Sequence, residues 1–304
     1  MAPRLALAAA LALGLAGAAW AQPTVPAAAS VAPASAVAPR GPEPSAADSA
    51  GPAKPGNWQL LRLIKLKNPG AASLDRRGSL YVADADDNLR QYSAEGLPLN
   101  TFSPPLPGHV AQVEAWNMAN TLIFNDDRQQ LILLDRFLAP LSQVRLTDYV
   151  DGTVRVATLA PDGQIWLLDE SSLVLRELDT NTLRLVQNTP LDLIIGRTRP
   201  DFRFIRQYQN NTYLVDHTTG IYVFDNLGNY KKKIPFTGLS MVGFQGDELY
   251  YLSGGQLHFF HLYNLTERTL PLPAKVAAEA RQVLVSDGYA YVFTATGVLV
   301  YKVL

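Results

Sequence analysis

Apart from one short stretch at Ala274 to Arg281, residues 58 to 304 carry almost no helical periodicity. Apolar residues come instead in short runs of Tyr, Val, Ile, Leu and Phe, punctuated by Asp-Gly, Asn-Asn and Gly-Gly, the pattern of many short antiparallel strands. Six of these runs align: Leu80-Tyr81-Val82-Ala83-Asp84, Thr121-Leu122-Ile123-Phe124-Asn125, Ile165-Trp166-Leu167-Leu168-Asp169, Thr212-Tyr213-Leu214-Val215-Asp216, Leu249-Tyr250-Tyr251-Leu252-Ser253 and Ala290-Tyr291-Val292-Phe293-Thr294. Their starts are 41, 44, 47, 37 and 41 residues apart, a mean of 42. A repeat of that length holding several strands is what a β-propeller blade requires, so six copies predict six blades.

Each aligned strand is followed by a turn and a third strand, such as Leu89 to Tyr92, Leu131 to Leu134 or Leu257 to Phe260. Upstream of it lies an inner strand, joined by a tight turn in which Asp75-Arg76-Arg77-Gly78, Asp162-Gly163, Asn210-Asn211, Gly246-Asp247 or Asp287-Gly288 supplies the positive-φ residues such turns demand. The sixth copy stops after its third strand. The opening stretch Trp58 to Leu66 alternates with period two, Leu61, Leu63 and Lys65 on one face and Leu60, Arg62, Ile64 and Leu66 on the other. Pairing it with Val298 to Tyr301 completes the last blade and removes an exposed edge. The expected fold is all-β, a six-bladed β-propeller of residues 58–304 whose ring is closed by the N-terminal strand.

Two segments precede it. Residues 1–21 read as a signal peptide: Arg4 is the positive n-region, Leu5 to Ala19 the apolar h-region, and Ala19-Trp20-Ala21 the cleavage site. An uncleaved anchor is the alternative, but this apolar run is short of the roughly 20 residues a span needs. Residues 22–57 form a Pro/Ala-rich linker expected to be disordered, with 8 Pro and 11 Ala between Gln22 and Gly56 and no aromatic. It is either a spacer from a membrane or wall, or an inert tail. Together these segments predict a periplasmic or secreted protein with no transmembrane segment after cleavage.

Composition narrows the function classes. With 26 Lys and Arg against 27 Asp and Glu, the formal charge of the 304 residues is −1, which excludes a nucleic-acid binder working through bulk positive charge. A chain with 48% hydrophobic and 17% charged residues has the means to build a core. The absence of cysteine rules out disulfides, cysteine-zinc sites and thiol nucleophiles.

The first blade runs from Pro69-Gly70 through Asp75, Gly78, Leu80-Tyr81-Val82-Ala83-Asp84, Asn88-Leu89-Arg90 and Tyr92 to Gly96. It resembles the NHL repeat, which passes from Pro-Gly through Gly-x-Leu-Tyr-Val-Ala-Asp and Asn-x-x-Arg to a closing Gly. Blades three and four match in part. Blades two, five and six depart from it, with Asn125, Ser253 and Thr294 in place of the Asp. The resemblance implies a six-bladed propeller and leaves the activity open, since that fold serves binding platforms, lactonases and lyases alike.

Three groups of residues carry candidate chemistry. Asp84, Asp86, Asp87, Asp126, Asp127, Asp169, Glu170, Asp216 and His217 make an acidic arc on the face of the crossings. It offers oxygens to Ca²⁺ or a basic partner, but the preferred reading has Asp84, Asp169 and Asp216 accepting bonds from turn amides, and no cofactor is expected. The inner strands bring Arg155, Arg203, Arg206 and Arg281 beside Gln112 and Glu114, a set suited to an anionic ligand if the arginines are not taken by neighbouring carboxylates or solvent. The crossing Pro190 to Phe204 holds two exposed-looking isoleucines, Ile194 and Ile195, beside Arg197 and Arg199, and reads as a lid, a contact surface or a structural wrap.

Catalytic constellations are poor: the histidines His109, His217, His258 and His261 are dispersed, and Glu114 alone is a channel carboxylate. The expected function is a non-catalytic platform for an extracytoplasmic protein or an anionic envelope ligand. The alternative is a metal-dependent, lactonase-like hydrolase or lyase with a metal in the channel.

Overall fold

The computed structural model describes residues 57–117, 119–196 and 199–303. The expected signal peptide and all of the linker except Asn57 lie outside the described residues, as do Arg197 and Thr198.

The first strand, β1 (Trp58–Lys65), leads into blade one, β2 (Ala72–Leu74), β3 (Leu80–Ala83), β4 (Leu89–Tyr92) and β5 (Pro98–Phe102). Blade two is β6 (Val110–Glu114), β7 (Asn120–Asn125), β8 (Gln130–Asp135) and β9 (Pro140–Arg145). Blade three is β10 (Val154–Leu159), β11 (Ile165–Asp169), β12 (Val174–Asp179) and β13 (Arg184–Pro190). Next come β14 (Phe202–Tyr208), β15 (Asn211–Asp216), β16 (Gly220–Asp225) and β17 (Tyr230–Ile234) in blade four. Blade five holds β18 (Gly243–Gln245), β19 (Glu248–Ser253), β20 (Gln256–His261) and β21 (Glu267–Pro271). Blade six holds β22 (Gln282–Ser286), β23 (Tyr289–Thr294) and β24 (Gly297–Val303), with β1 as its fourth strand. Every blade is an antiparallel meander, and the ring is closed as the pattern predicts: Ile64 pairs with Val298, Leu63 with Leu299, Arg62 with Val300 and Leu60 with Tyr301.

The strict alternation expected for β1 is broken by an irregularity between Leu60 and Arg62. Ile64 is buried, whereas Leu60, Leu61 and Leu63 stay exposed. Ile64 packs against blade one near the crossing, and at the other end of the strand Trp58 reaches blade five.

The second strands read as unbroken apolar runs because both of their faces are covered. Leu80–Ala83 and Ile165–Asp169 are buried throughout, whereas the outer strands Pro140–Arg145 and Arg184–Pro190 are largely exposed. The buried apolar residues fall into six clusters, each filling one interface between adjacent blades, and the last joins Ile64, Leu284, Tyr291 and Val300 of blade six to Leu74, Leu80 and Val82 of blade one. A blade therefore has no core of its own, which makes the ring the stable unit. At the position after the start of each aligned run stands a large side chain turned to the next blade: Tyr81, Leu122, Trp166, Tyr213, Tyr250 and Tyr291. The Tyr291 hydroxyl reaches blade one, 2.9 Å from the carbonyl oxygens of Gly78 and Ala94.

Two short helices sit in the long crossings, Asp192–Ile195 and Ala274–Ala277. The first corrects the expectation of two exposed isoleucines. Ile195 is buried and Ile194 packs against the cluster between blades three and four, and it is Leu193 that stands 92% exposed. This part of the crossing is a wrap over the blade junction.

Candidate functional site

The inner strands of blades two, three and four each begin with an irregularity. Register shifts between Val110 and Gln112, between Val154 and Val156, and between Phe202 and Phe204, leaving Ala111, Arg155 and Arg203 outside the ladder. A bulge re-aims its side chain, and here it turns two arginines to the mouth of the axial channel. The equivalent positions around the ring, counted back from the channel residues below, are Gly70, Ala111, Arg155, Arg203, Ser240 and Arg281. The mouth is thus ringed by three arginines and three small residues, with no carboxylate among the six.

Two depressions open there, of about 280 Å³ and 260 Å³. They share Ala111, Gln112, Arg203 and Ser240, with Arg281 lining the first and Arg155 the second. The three arginines are engaged to different degrees. Arg155 Nε donates to the Phe202 carbonyl at 3.1 Å. Arg203 donates twice to Asp201 Oδ2, at 2.9 and 2.6 Å, which holds the Asp201 carboxyl below and the Arg203 guanidinium above their ordinary ranges. Arg281 is exposed and makes no side-chain hydrogen bond or ion pair among the described residues. Two carboxylates beside the arginines are already partnered, Asp201 by Arg203 and Asp126 by His109 Nδ1 at 2.7 Å.

Three residues deeper lies a second ring: Ser73, Glu114, Thr158, Arg206, Gly243 and Leu284, each directly opposite the large residue of its own second strand. Four of the six meet. Arg206 Nε and Nη2 donate to Glu114 Oε2 and Oε1 at 2.9 and 3.0 Å, and Nη2 lies 3.1 Å from Ser73 Oγ. The Trp116 amide donates to Glu114 Oε1, and the Thr158 hydroxyl to Oε2. Gly243 is small of necessity, because a Cβ there would meet the Tyr250 ring at 2.1 Å. Gln112 lies between the two rings, its Nε2 donating to the Ile205 carbonyl at 2.7 Å.

The six residues singled out from the sequence all lie on or beside the inner strands that line the channel, but at different depths, and they do not form one site. Arg155, Arg203 and Arg281 face the mouth. Arg206 and Glu114 neutralise each other below it, with Gln112 between the two levels. Ser73, Thr158 and Ser240 are additions from the structure, and nothing in their residue types singles them out.

Three members of the acidic arc are staples: Asp84, Asp169 and Asp216. Asp84 Oδ1 accepts the Asp86 and Asn88 amides, both at 3.0 Å, and Oδ2 accepts Arg90 at 2.6 Å. Burial pushes the Asp84 carboxyl up, but the bonds from Arg90 and the two amides outweigh it and hold the group below its ordinary range. Asp169 bonds Ser172 and Arg176, and Asp216 accepts the Asp201 and Thr218 amides. Asn125, which replaces the Asp in blade two, donates to the Gly108 and His109 carbonyls of the crossing. Among the described residues no group of three or more His, Asp and Glu side chains is placed to hold a metal ion.

No family model and no curated protein matches the sequence. Solved propellers do match the fold. Virginiamycin B lyase from Staphylococcus aureus superposes with a TM-score of 0.59 at 11% identity, over 82% of this chain and 100% of that one. The Cps50 (Swd1) β-propeller domain of Myceliophteria thermophila gives 0.56 at 11%, over 81% and 100%. BamB from Moraxella catarrhalis gives 0.50 at 10%, over 81% and 98%. At such identities the likeness is one of fold.

Proposed function

We propose that this propeller is a non-catalytic binding platform of the periplasm or cell envelope, exported by its signal peptide, whose axial mouth takes an anionic group of a protein or envelope component. The observation that supports this reading most is the ring of Arg155, Arg203 and Arg281 among Gly70, Ala111 and Ser240. Guanidinium groups bond carboxylate or phosphate in a planar, bidentate manner, and the small residues between them leave room for the partner. A confined mouth also screens charge less than open surface. The NHL-like character of blade one belongs to the same reading, as a variant repeat whose Asp84, Asn88 and Arg90 hold a turn together.

A channel-metal hydrolase or lyase would need Glu114 free, and its two oxygens receive Arg206, the Trp116 amide and Thr158. Metal analysis with and without chelator separates the two readings, stoichiometric channel metal favouring the enzyme.

The binding experiment is capture from envelope extract by the immobilised protein and by the double variant Arg203→Glu/Arg281→Glu. Capture should fall while the melting temperature stays nearly unchanged, since both side chains are exposed. Capture that survives this change and fails in Asp86→Asn/Asp87→Asn/Asp127→Asn would move the site to the acidic arc.

A further inference from the structure

At the opposite end of the blades, a groove of about 620 Å³ runs between blade one and the β8–β9 turn of blade two, larger than either depression at the mouth. Its size lies within the range of about 300–1,000 Å³ common for small-ligand sites. Its floor is a row of cross-strand partners: Tyr81 on β3 opposite Gln91 on β4, and Gln91 opposite Asn100 on β5. Gln91 Nε2 donates to the Tyr81 hydroxyl oxygen at 2.7 Å, and Asn100 Nδ2 donates to Gln91 Oε1 at 2.6 Å.

This row is peculiar to blade one. The residues that stand where Gln91 does are Leu133, Glu177, Val223, Phe259 and Val300, so no other blade has an amide there. A buried amide is costly unless its bonds are made, and here they are made in a chain that runs outward and ends at Asn100, whose Oδ1 has no partner among the described residues. Above the floor, the exposed Leu99 and Phe137 supply apolar surface. Arg77 and Arg136 add two guanidiniums without an ion pair among the described residues, Arg136 lying over the Phe137 ring at 4.7 Å. They stand against one carboxylate, Asp75, whose Oδ1 is committed to the amides of Arg77 and Ser79.

An amide and a phenol in a row match sugar hydroxyls, which donate and accept alike. An aromatic ring matches the C–H face of a pyranose, and free guanidiniums match carboxylates. A peptide strand would instead need the ladder edge of β5, where Pro98 has no N–H to offer. We propose that this groove is a second binding site, separate from the axial mouth, for an acidic oligosaccharide whose hydroxyls meet Asn100 and the Tyr81–Gln91 row and whose carboxylates meet Arg77 and Arg136.

Calorimetric titration of the purified protein with tetramers of galacturonate, guluronate and mannuronate tests this, with maltotetraose and tetraglutamate as neutral and peptidic controls. At least one uronate tetramer should bind, with maltotetraose weaker. Arg77→Gln/Arg136→Gln should weaken that binding about tenfold or more, Asn100→Ala several-fold, and Arg203→Glu/Arg281→Glu should leave it unchanged. The groove variants alter exposed or half-buried side chains, and an unchanged melting temperature verifies their fold. Absence of binding by all three uronates, equal binding of tetraglutamate, or loss of binding in the Arg203/Arg281 variant in place of the groove variants overturns the assignment. The proposal for the axial mouth stands or falls separately, on the capture experiment.

Discussion

Arg206 on β14 and Glu114 on β6 form a two-pronged ion pair across the propeller axis, joining blades four and two, which are not neighbours in the ring. Side-chain exposure is 12% for Arg206 and 2% for Glu114. Removing one partner of such a pair leaves a buried charge without compensation, a loss of about 3–5 kcal/mol. Glu114→Ala should therefore lower the melting temperature markedly. The double replacement Glu114→Leu/Arg206→Met should recover most of it, since apolar groups of similar volume often replace a buried pair at little cost. Denaturant unfolding of the two variants measures the difference.

Closure by β1 should be a condition of stability. Trp58 Nε1 donates to the Pro271 carbonyl at 3.1 Å, and its ring stands edge-on to Tyr301 at 5.5 Å. Trp58→Ala should cost about 2–4 kcal/mol, somewhat below the loss from a fully enclosed aromatic because this side chain is half-buried. Deletion of residues 58–65 should expose β24 and the face of blade six, with aggregation visible in size-exclusion chromatography. A deletion variant with an unchanged melting temperature would refute closure as a source of stability.

Acid should act on the turn staples. The carboxyls of Asp84 and Asp169 are lowered in the folded state. Their stabilising contribution is therefore present above the unfolded value of about 3.9 and is lost as pH falls through the lower folded value. Unfolding free energy should decline as pH falls below about 4 toward the lowered folded values. Asp84→Asn should be less stable than the parent at neutral pH yet show a shallower acid limb, which unfolding curves at several pH values reveal.

The Asp126 carboxylate, 2.7 Å from His109 Nδ1, raises the imidazole pKa against the opposing effect of partial burial. An NMR titration should find His109 deprotonating above the ordinary value of about 6.5, and Asp126→Asn should bring it down. A raised folded value stabilises the protein below the unfolded pKa, and the benefit fades as pH rises through the folded one. With His109 side-chain exposure at 64%, solvent screening keeps the stability effect small.

The sequence by itself determined the number of blades, the limits of most strands and the closing role of Trp58 to Leu66. These follow from local periodicity, from turn residues such as Asp162-Gly163, and from a repeat that must bury its faces against copies of itself. It also carried the staple role of Asp84, Asp169 and Asp216, because a carboxylate two to four residues ahead of free amides acts locally. The arginines were legible as a group but not in their division. Which of them face the mouth depends on bulges at Ala111, Arg155 and Arg203, and a one-residue slip turns a side chain to the other face of its strand. That Arg206 meets Glu114, 92 residues away, and that Gln91 opens the floor of a groove between blades, depends on how far strands from different repeats stand apart. No local pattern encodes those separations, and only the closed ring decides them.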